Sequence, residues 1–161
     1  MTVKEYNYTV TAFSDNVYRF ILKNIRDEEK AKDVVQDAFL KLWQKVEEVG
    51  GEKAKSYLFT TAYRTMIDLI RRDKRQGEWS DALENQVTTF QNYSGIDEIL
   101  NEALSKLPEA QRSAIMLRDY EGYDYEEIGK IMKLNLTQVK VYIFRARKKL
   151  KDYLVSVETI I

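Results

Sequence analysis

EEIGKIMKLNLTQVKVYIFRARKKL, residues 126–150, is the stretch whose spacing decides the fold. Glu126 to Met132 is a short amphipathic helix, Lys133-Leu134-Asn135-Leu136 a turn, and Thr137 to Leu154 a longer helix. Gly129 supplies the close backbone approach that two steeply crossed helices need. Val139 stands ten residues later, where a helix-turn-helix buries an apolar residue of its second helix. Stepping about 100° per residue from Val139 brings Ile143, Ala146 and Leu150 within about 40° of it, a buried stripe. Thr137, Lys140, Val141, Phe144, Arg145 and Lys148 gather on the far side. From Lys140 to Lys151 there are six Lys/Arg and no acid. A basic helix with one exposed aromatic, set after a tight turn, suits the major groove: Lys and Arg reach phosphates and guanine edges, Phe and Val touch thymine methyls. The plainer alternative is a solvated basic helix end.

Upstream, one Pro and six Gly in 161 residues suit long helices. Ile96, Ile99, Leu100, Ala103 and Leu104 form a short helix. Leu107-Pro108-Glu109 is a turn with Pro near the next helix start, and Ala110, Ala114, Ile115 and Leu117 continue it. Residues 76–95 are polar with scattered apolar residues, and read as a linker. Before them, three helices are predicted over about residues 8–75. The first carries Phe13, Val17, Phe20 and Ile21. The second opens with acids at Asp27-Glu28-Glu29, carries Ala31, Val34, Ala38, Leu42, Val46 and Val49, and is stopped by Gly50-Gly51. The third carries Tyr57, Leu58, Ala62, Met66 and Leu69 and ends in Arg71-Arg72-Asp73-Lys74-Arg75. The expected architecture is all-α: two small helical domains, residues 1–75 and 96–161, joined by a linker over 76–95, the C-terminal domain holding the helix-turn-helix.

Composition narrows the chemistry. There is no Cys and no His, so thiolate nucleophiles, disulfides, cysteine or imidazole metal sites and a histidine general base are excluded. No Gly-rich phosphate loop is present. In the acidic stretch from Asp119 to Glu127, Gly122 is fourth where a calcium loop needs it sixth, which leaves an acidic turn and helix start. No enzyme, no cofactor, no metal and no small-molecule substrate are expected. The longest apolar runs are about four residues, too short for a membrane span, and MTVKEYNYTV lacks the apolar core of a signal peptide. A soluble cytoplasmic protein is expected.

The formal net charge is zero, 26 Lys+Arg against 26 Asp+Glu, but it is unevenly laid out. Residues 27–52 hold eight acids and four bases, and Asp33, Gln36 and Asp37 share one helix face there. That face suits a basic protein partner, or simply water. Arg64, Arg71, Arg72, Lys74 and Arg75 form a second basic cluster. Lys55 interleaved with Tyr57 and Phe59 suits single-stranded nucleic acid, where bases stack on rings; a charged helix end beside core aromatics is the alternative.

Four motifs in order carry a resemblance. They are Asp33-x-x-Gln36-Asp37-x-Phe39, Tyr57-Leu58…Ala62…Ile67-Asp68-x-x-Arg71-Arg72, Leu107-Pro108-x-x-x-Arg112, and Glu127-Ile128-Gly129…Val139-Lys140…Phe144-Arg145-Ala146-Arg147…Leu150. Over about residues 8–154 the chain resembles an extracytoplasmic-function sigma factor of the sigma-70 family of bacterial RNA polymerase subunits. The resemblance implies that Asp33, Gln36 and Asp37 face core RNA polymerase, with Trp43 nearby or in the core. It implies that Lys55, Tyr57, Thr61 and Arg64 surround a flipped base of the −10 element, with Arg71 and Arg72 on adjacent backbone. It implies that Thr137, Gln138, Lys140, Val141, Phe144, Arg145 and Lys148 read a −35 element as duplex promoter DNA. Control by an anti-sigma factor, often anchored in the inner membrane, follows from the same resemblance. The family usually has Trp where Tyr57 stands, Asn where Arg64 stands and Gly where Lys133 stands. A helix-turn-helix regulator acting without polymerase is the competing reading; it leaves residues 8–75 unassigned.

Overall fold

A computed structural model describes residues 1–76 and 95–160. Every regular element among them is helical. The contacts divide the chain into two compact units, residues 1–87 and 88–161. The expected linker, residues 76–95, lies almost wholly outside the described residues.

In the N-terminal unit, α1 (Val3–Ile25), α2 (Glu28–Gln44) and α3 (Ala54–Gln76) pack against one another. Thr2 and Glu5 close a reciprocal capping box at the start of α1, so the helix begins well before Phe13, the first of the apolar positions that mark it in sequence. Arg26, in left-handed backbone at φ 60°, ends α1, and the Asp27 side chain accepts from Lys30 N–H to start α2. The core is Val17, Phe20, Ile21 and Ile25 of α1, Ala31, Val34, Ala38 and Leu42 of α2, and Leu58, Phe59, Ala62 and Met66 of α3. The Phe20 ring lies 5.6 Å from Phe59 and 6.3 Å from Tyr63. The second helix stops at Gln44, short of the glycines expected to end it. Val46 and Val49 are β-branched and Glu47-Glu48 would oppose the negative end of the helix dipole, so residues 45–49 form turns. Gly51–Lys53 is one 3₁₀ turn leading into α3.

The C-terminal unit contains α4 (Gly95–Ser105), α5 (Glu109–Ile115), α6 (Tyr125–Met132) and α7 (Leu136–Ile160). α7 packs on α4, α5 and α6. Pro108 caps α5. Four residues on, the Arg112 guanidinium turns back and donates to the Leu107 carbonyl at 3.1 Å and to those of Leu104 and Ser105 at 3.5 Å. It thus adds a donor to carbonyls at and just beyond the end of α4, where the helix supplies few of its own. Past Ile115 the chain widens into a π-helical turn, Met116–Tyr120, and reverses through Gly122 at φ +76°. The Asp124 carboxylate accepts from Glu127 N–H to begin α6. No helix among the described residues is long and apolar enough to cross a membrane.

Candidate nucleic-acid interface

The turn between α6 and α7 sets the geometry of the C-terminal site. Lys133 occupies left-handed backbone, φ 57° and ψ 49°, so a lysine stands where glycine would carry no steric penalty. Leu134 N–H then donates back to the Gly129 carbonyl at 2.9 Å. Gly129 is buried, and a β-carbon on it would stand 2.7 Å from the Leu134 carbonyl oxygen. Asn135 and Gln138 exchange bonds, each side chain accepting from the other's backbone N–H at 2.8 and 3.0 Å. That reciprocal cap fixes the first turn of α7. It also ties down the Gln138 side chain, one of the seven residues expected on duplex DNA.

Behind the turn, Val139, Ile143 and Ala146 are buried, and Leu150 is half-buried. Thr137, Gln138, Lys140, Val141, Phe144, Arg145 and Lys148 are all exposed. Phe144 is 70% exposed, and Val141, three residues before it on the same face, is 37% exposed, so the two form an apolar patch within the basic segment. Arg147 flanks this face and is paired to Asp119 of the π turn at 2.9 Å. That hydrogen bond raises the Arg147 guanidinium above its ordinary value. The sequence places Asp119 in an acidic turn and Asn135 in the turn before α7, but gives neither a partner. The signal for Asn135 is its place three residues before Gln138, the capping-box spacing.

On α3, Tyr57, Thr61, Arg64, Arg71 and Arg72 lie toward the outside of the helix, the first two half-exposed and the arginines exposed. The Tyr57 hydroxyl donates to the Lys41 carbonyl of α2 at 3.4 Å. Lys55 stands apart from this group. Two residues before Tyr57 it is turned by about 200°, and its ammonium lies 5.8 Å from the Phe13 ring and 5.9 Å from the Phe59 ring. It lies over Phe13 of α1 and Phe59 of its own helix, away from Tyr57, Thr61 and Arg64.

The α2 face carries Asp33 and Gln36 exposed and Asp37 half-exposed. Asp37 is partly engaged within the chain: Lys41 pairs with it at 2.9 Å and the Thr65 hydroxyl donates to it at 3.4 Å. Further along the helix stand Leu40, 54% exposed, and Trp43, 43% exposed with its ring 5.0 Å from Tyr6. Trp43 is therefore outside the core proper. Leu40 went unread in sequence, although it falls off the buried line of Ala38 and Leu42.

Residues 9–76 match the family described as sigma-70 region 2, and residues 97–150 that described as sigma-70, region 4. The chain is 31% identical over 144 residues to the ECF RNA polymerase sigma factor SigM of Bacillus subtilis, covering 86% of this chain and 88% of that protein. It is 27% identical over 165 residues to the ECF RNA polymerase sigma-E factor of Escherichia coli K12, covering 92% and 86%. Among solved structures it is similar to the sigma factor RpoE of Bartonella quintana, crystallised in complex with the anti-sigma factor NepR. That likeness has a TM-score of 0.80 at 26% identity and covers 94% of this chain and 98% of the other.

Proposed function

The chain belongs to the sigma-70 family as an RNA polymerase sigma factor of the extracytoplasmic-function type, and from that premise we propose how its surfaces divide the work. Residues 1–75 bind core polymerase and the −10 element, residues 76–95 link, and residues 96–161 bind the −35 element. Asp33, Gln36 and Asp37 dock on core polymerase. The exposed face of α7 enters the major groove at −35, with Lys140, Arg145 and Lys148 on phosphates and base edges and Val141 and Phe144 on thymine methyls. Tyr57, Thr61 and Arg64 receive a base extruded from the −10 element, and Arg71 and Arg72 hold the backbone beside it. Capture of an extruded base is possible only after local melting, so binding favours strand opening. The reaction itself belongs to the polymerase; this chain does no covalent chemistry and works in the cytoplasm.

The observation that carries the reading is the exposed face of α7, without an acid from Lys140 to Lys151 and with Phe144 open to water behind a capped turn, in a chain matching both sigma regions. An anti-sigma factor, membrane-anchored in the simplest arrangement, covers these faces when the protein is held inactive; the Bartonella relative in complex with its own anti-sigma factor supports such a partner. A regulator working without polymerase accounts for the C-terminal unit but not for the sigma-70 region 2 match over residues 9–76. The test is run-off transcription: core polymerase plus this chain yields promoter-dependent transcripts from a randomised duplex library, and core polymerase alone does not. No transcript from any library member would sink the proposal.

A further inference from the structure

Asp73 is a buried carboxylate inside the most basic run of the N-terminal unit. Its neighbours Arg71, Arg72, Lys74 and Arg75 are all exposed, while Asp73 keeps 3% of its surface. The helical period explains the contrast: residue 73 falls in line with Ala62 and Met66, on the face of α3 turned to the bundle. A carboxylate there loses its hydration and needs a partner. Lys30, in the first turn of α2, supplies one, with Nζ 2.9 Å from Oδ2. The other oxygen, Oδ1, faces Arg72, whose Nε lies 3.9 Å away. One carboxylate thus meets two cations of different kinds, a lysine on the neighbouring helix and an arginine out on the surface.

Resting on the reading that Arg72 meets the promoter backbone, we propose that Asp73, anchored by Lys30, is a positioning residue for Arg72 on a phosphate of the −10 region. If Asp73 served packing alone, an apolar side chain would do about as well, because a buried carboxylate gains little over one from an ion pair, here with a lysine that is itself a third exposed. What the pair adds is direction. An exposed arginine on a long stem samples many rotamers, and a fixed negative charge beside Nε narrows them. The contact engages the Nε edge, which leaves the Nη fork for bidentate binding of a phosphate. Lys30 also lies three residues before Asp33. The same contact therefore ties the proposed polymerase face of α2 to the arginine end of α3.

The test uses the holoenzyme of core polymerase and the full chain, on a promoter recovered from the randomised library. Melting temperature and the salt dependence of open-complex formation are measured together, below the melting temperature of the least stable variant. Asp73→Asn is expected to reduce the slope of log K against log salt by about 0.7–0.9, the value of one phosphate contact. In an Arg72→Ala background the same change is expected to reduce it no further. The charge exchange Lys30→Asp with Asp73→Lys restores the pair, and so the melting temperature, but sets a cation beside Arg72; the slope is expected to stay reduced. An exchange that restores slope and melting temperature together makes Asp73 a structural partner only and overturns the proposal. So does an Asp73→Asn slope equal to wild type in a holoenzyme that opens the promoter normally. A wild-type holoenzyme that opens no promoter overturns the sigma reading and this proposal together.

Discussion

Replacing Gly129 with alanine isolates the contact on which the geometry of the C-terminal unit turns. A β-carbon there lies 2.7 Å from the Leu134 carbonyl oxygen and 3.7 Å from Val139 Cγ2. The obstructing atom is backbone, so no side-chain rotation relieves the clash. The turn cannot slide freely either, because Lys133 and Leu134 N–H groups both donate to the Gly129 carbonyl. Moving Leu134 outward strains those bonds and carries Asn135, the cap of α7, along with it. Overpacking of this kind costs about 1–3 kcal/mol. A weakened hydrogen bond adds about 1 kcal/mol. Gly→Ala within a helix returns about 1 kcal/mol. The net is a loss of about 1–3 kcal/mol. In a unit of this size that lowers the melting temperature by about 5–20 °C. Thermal melting, with hydrogen exchange read at peptides of α6 and α7, separates this unit from the N-terminal one. Gly122→Ala is the comparison: no atom lies within 4 Å of its β-carbon, so only the left-handed backbone penalty of about 1–2 kcal/mol applies. A Gly129→Ala protein melting at or above wild type would show that helix propensity outweighs the clash, and the close approach would not set the crossing of α6 and α7.

The other expectations are simpler. Lys133→Gly removes the left-handed penalty at φ 57° and is expected to stabilise the C-terminal unit by up to about 1 kcal/mol, seen as a higher urea midpoint; a lower midpoint contradicts the account of the turn. Arg145→Ala is expected to weaken −35 duplex binding by about 1–3 kcal/mol and relax its specificity. Lys140→Ala should reduce the salt slope by about 1 while leaving base preference alone; fluorescence anisotropy reads both, and unchanged binding in both counts against the α7 face. Asp33→Ala with Gln36→Ala is expected to weaken capture by core polymerase with circular dichroism unchanged, since both side chains are exposed; undiminished co-purification removes that face from the interface.

The C-terminal helices were legible because burial itself writes a period into sequence. Val139, Ile143 and Ala146 are spaced as one helix face must be, and they are the residues without solvent. The same logic located α2 and α3 but not their contacts. Lys55 and Tyr57 are near neighbours in sequence and face opposite ways, which matters only once α1 is in place to receive the lysine. The early start of α1 rests on a capping box of Thr2 and Glu5 rather than on any apolar period. The pairing of Lys30 with Asp73 spans 43 residues, and no local pattern announces it. In the basic run 71–75 the one acid reads as a diluent of charge, whereas its helical register makes it the one buried residue.

The open ring of Phe144 has a consequence for the free protein. It sits with exposed Val141 on a helix segment that carries six positive charges and no acid between Lys140 and Lys151. In dilute buffer those charges hold two such faces apart. The screening length shrinks from about 10 Å at 0.1 M salt to about 3 Å at 1 M, and concentrated sulfate or phosphate strengthens apolar association as well. A surface kept colloidally quiet by its own repulsion then turns adhesive. The side chains suited to thymine methyls and phosphates thus also set the ionic conditions in which unliganded protein stays dispersed.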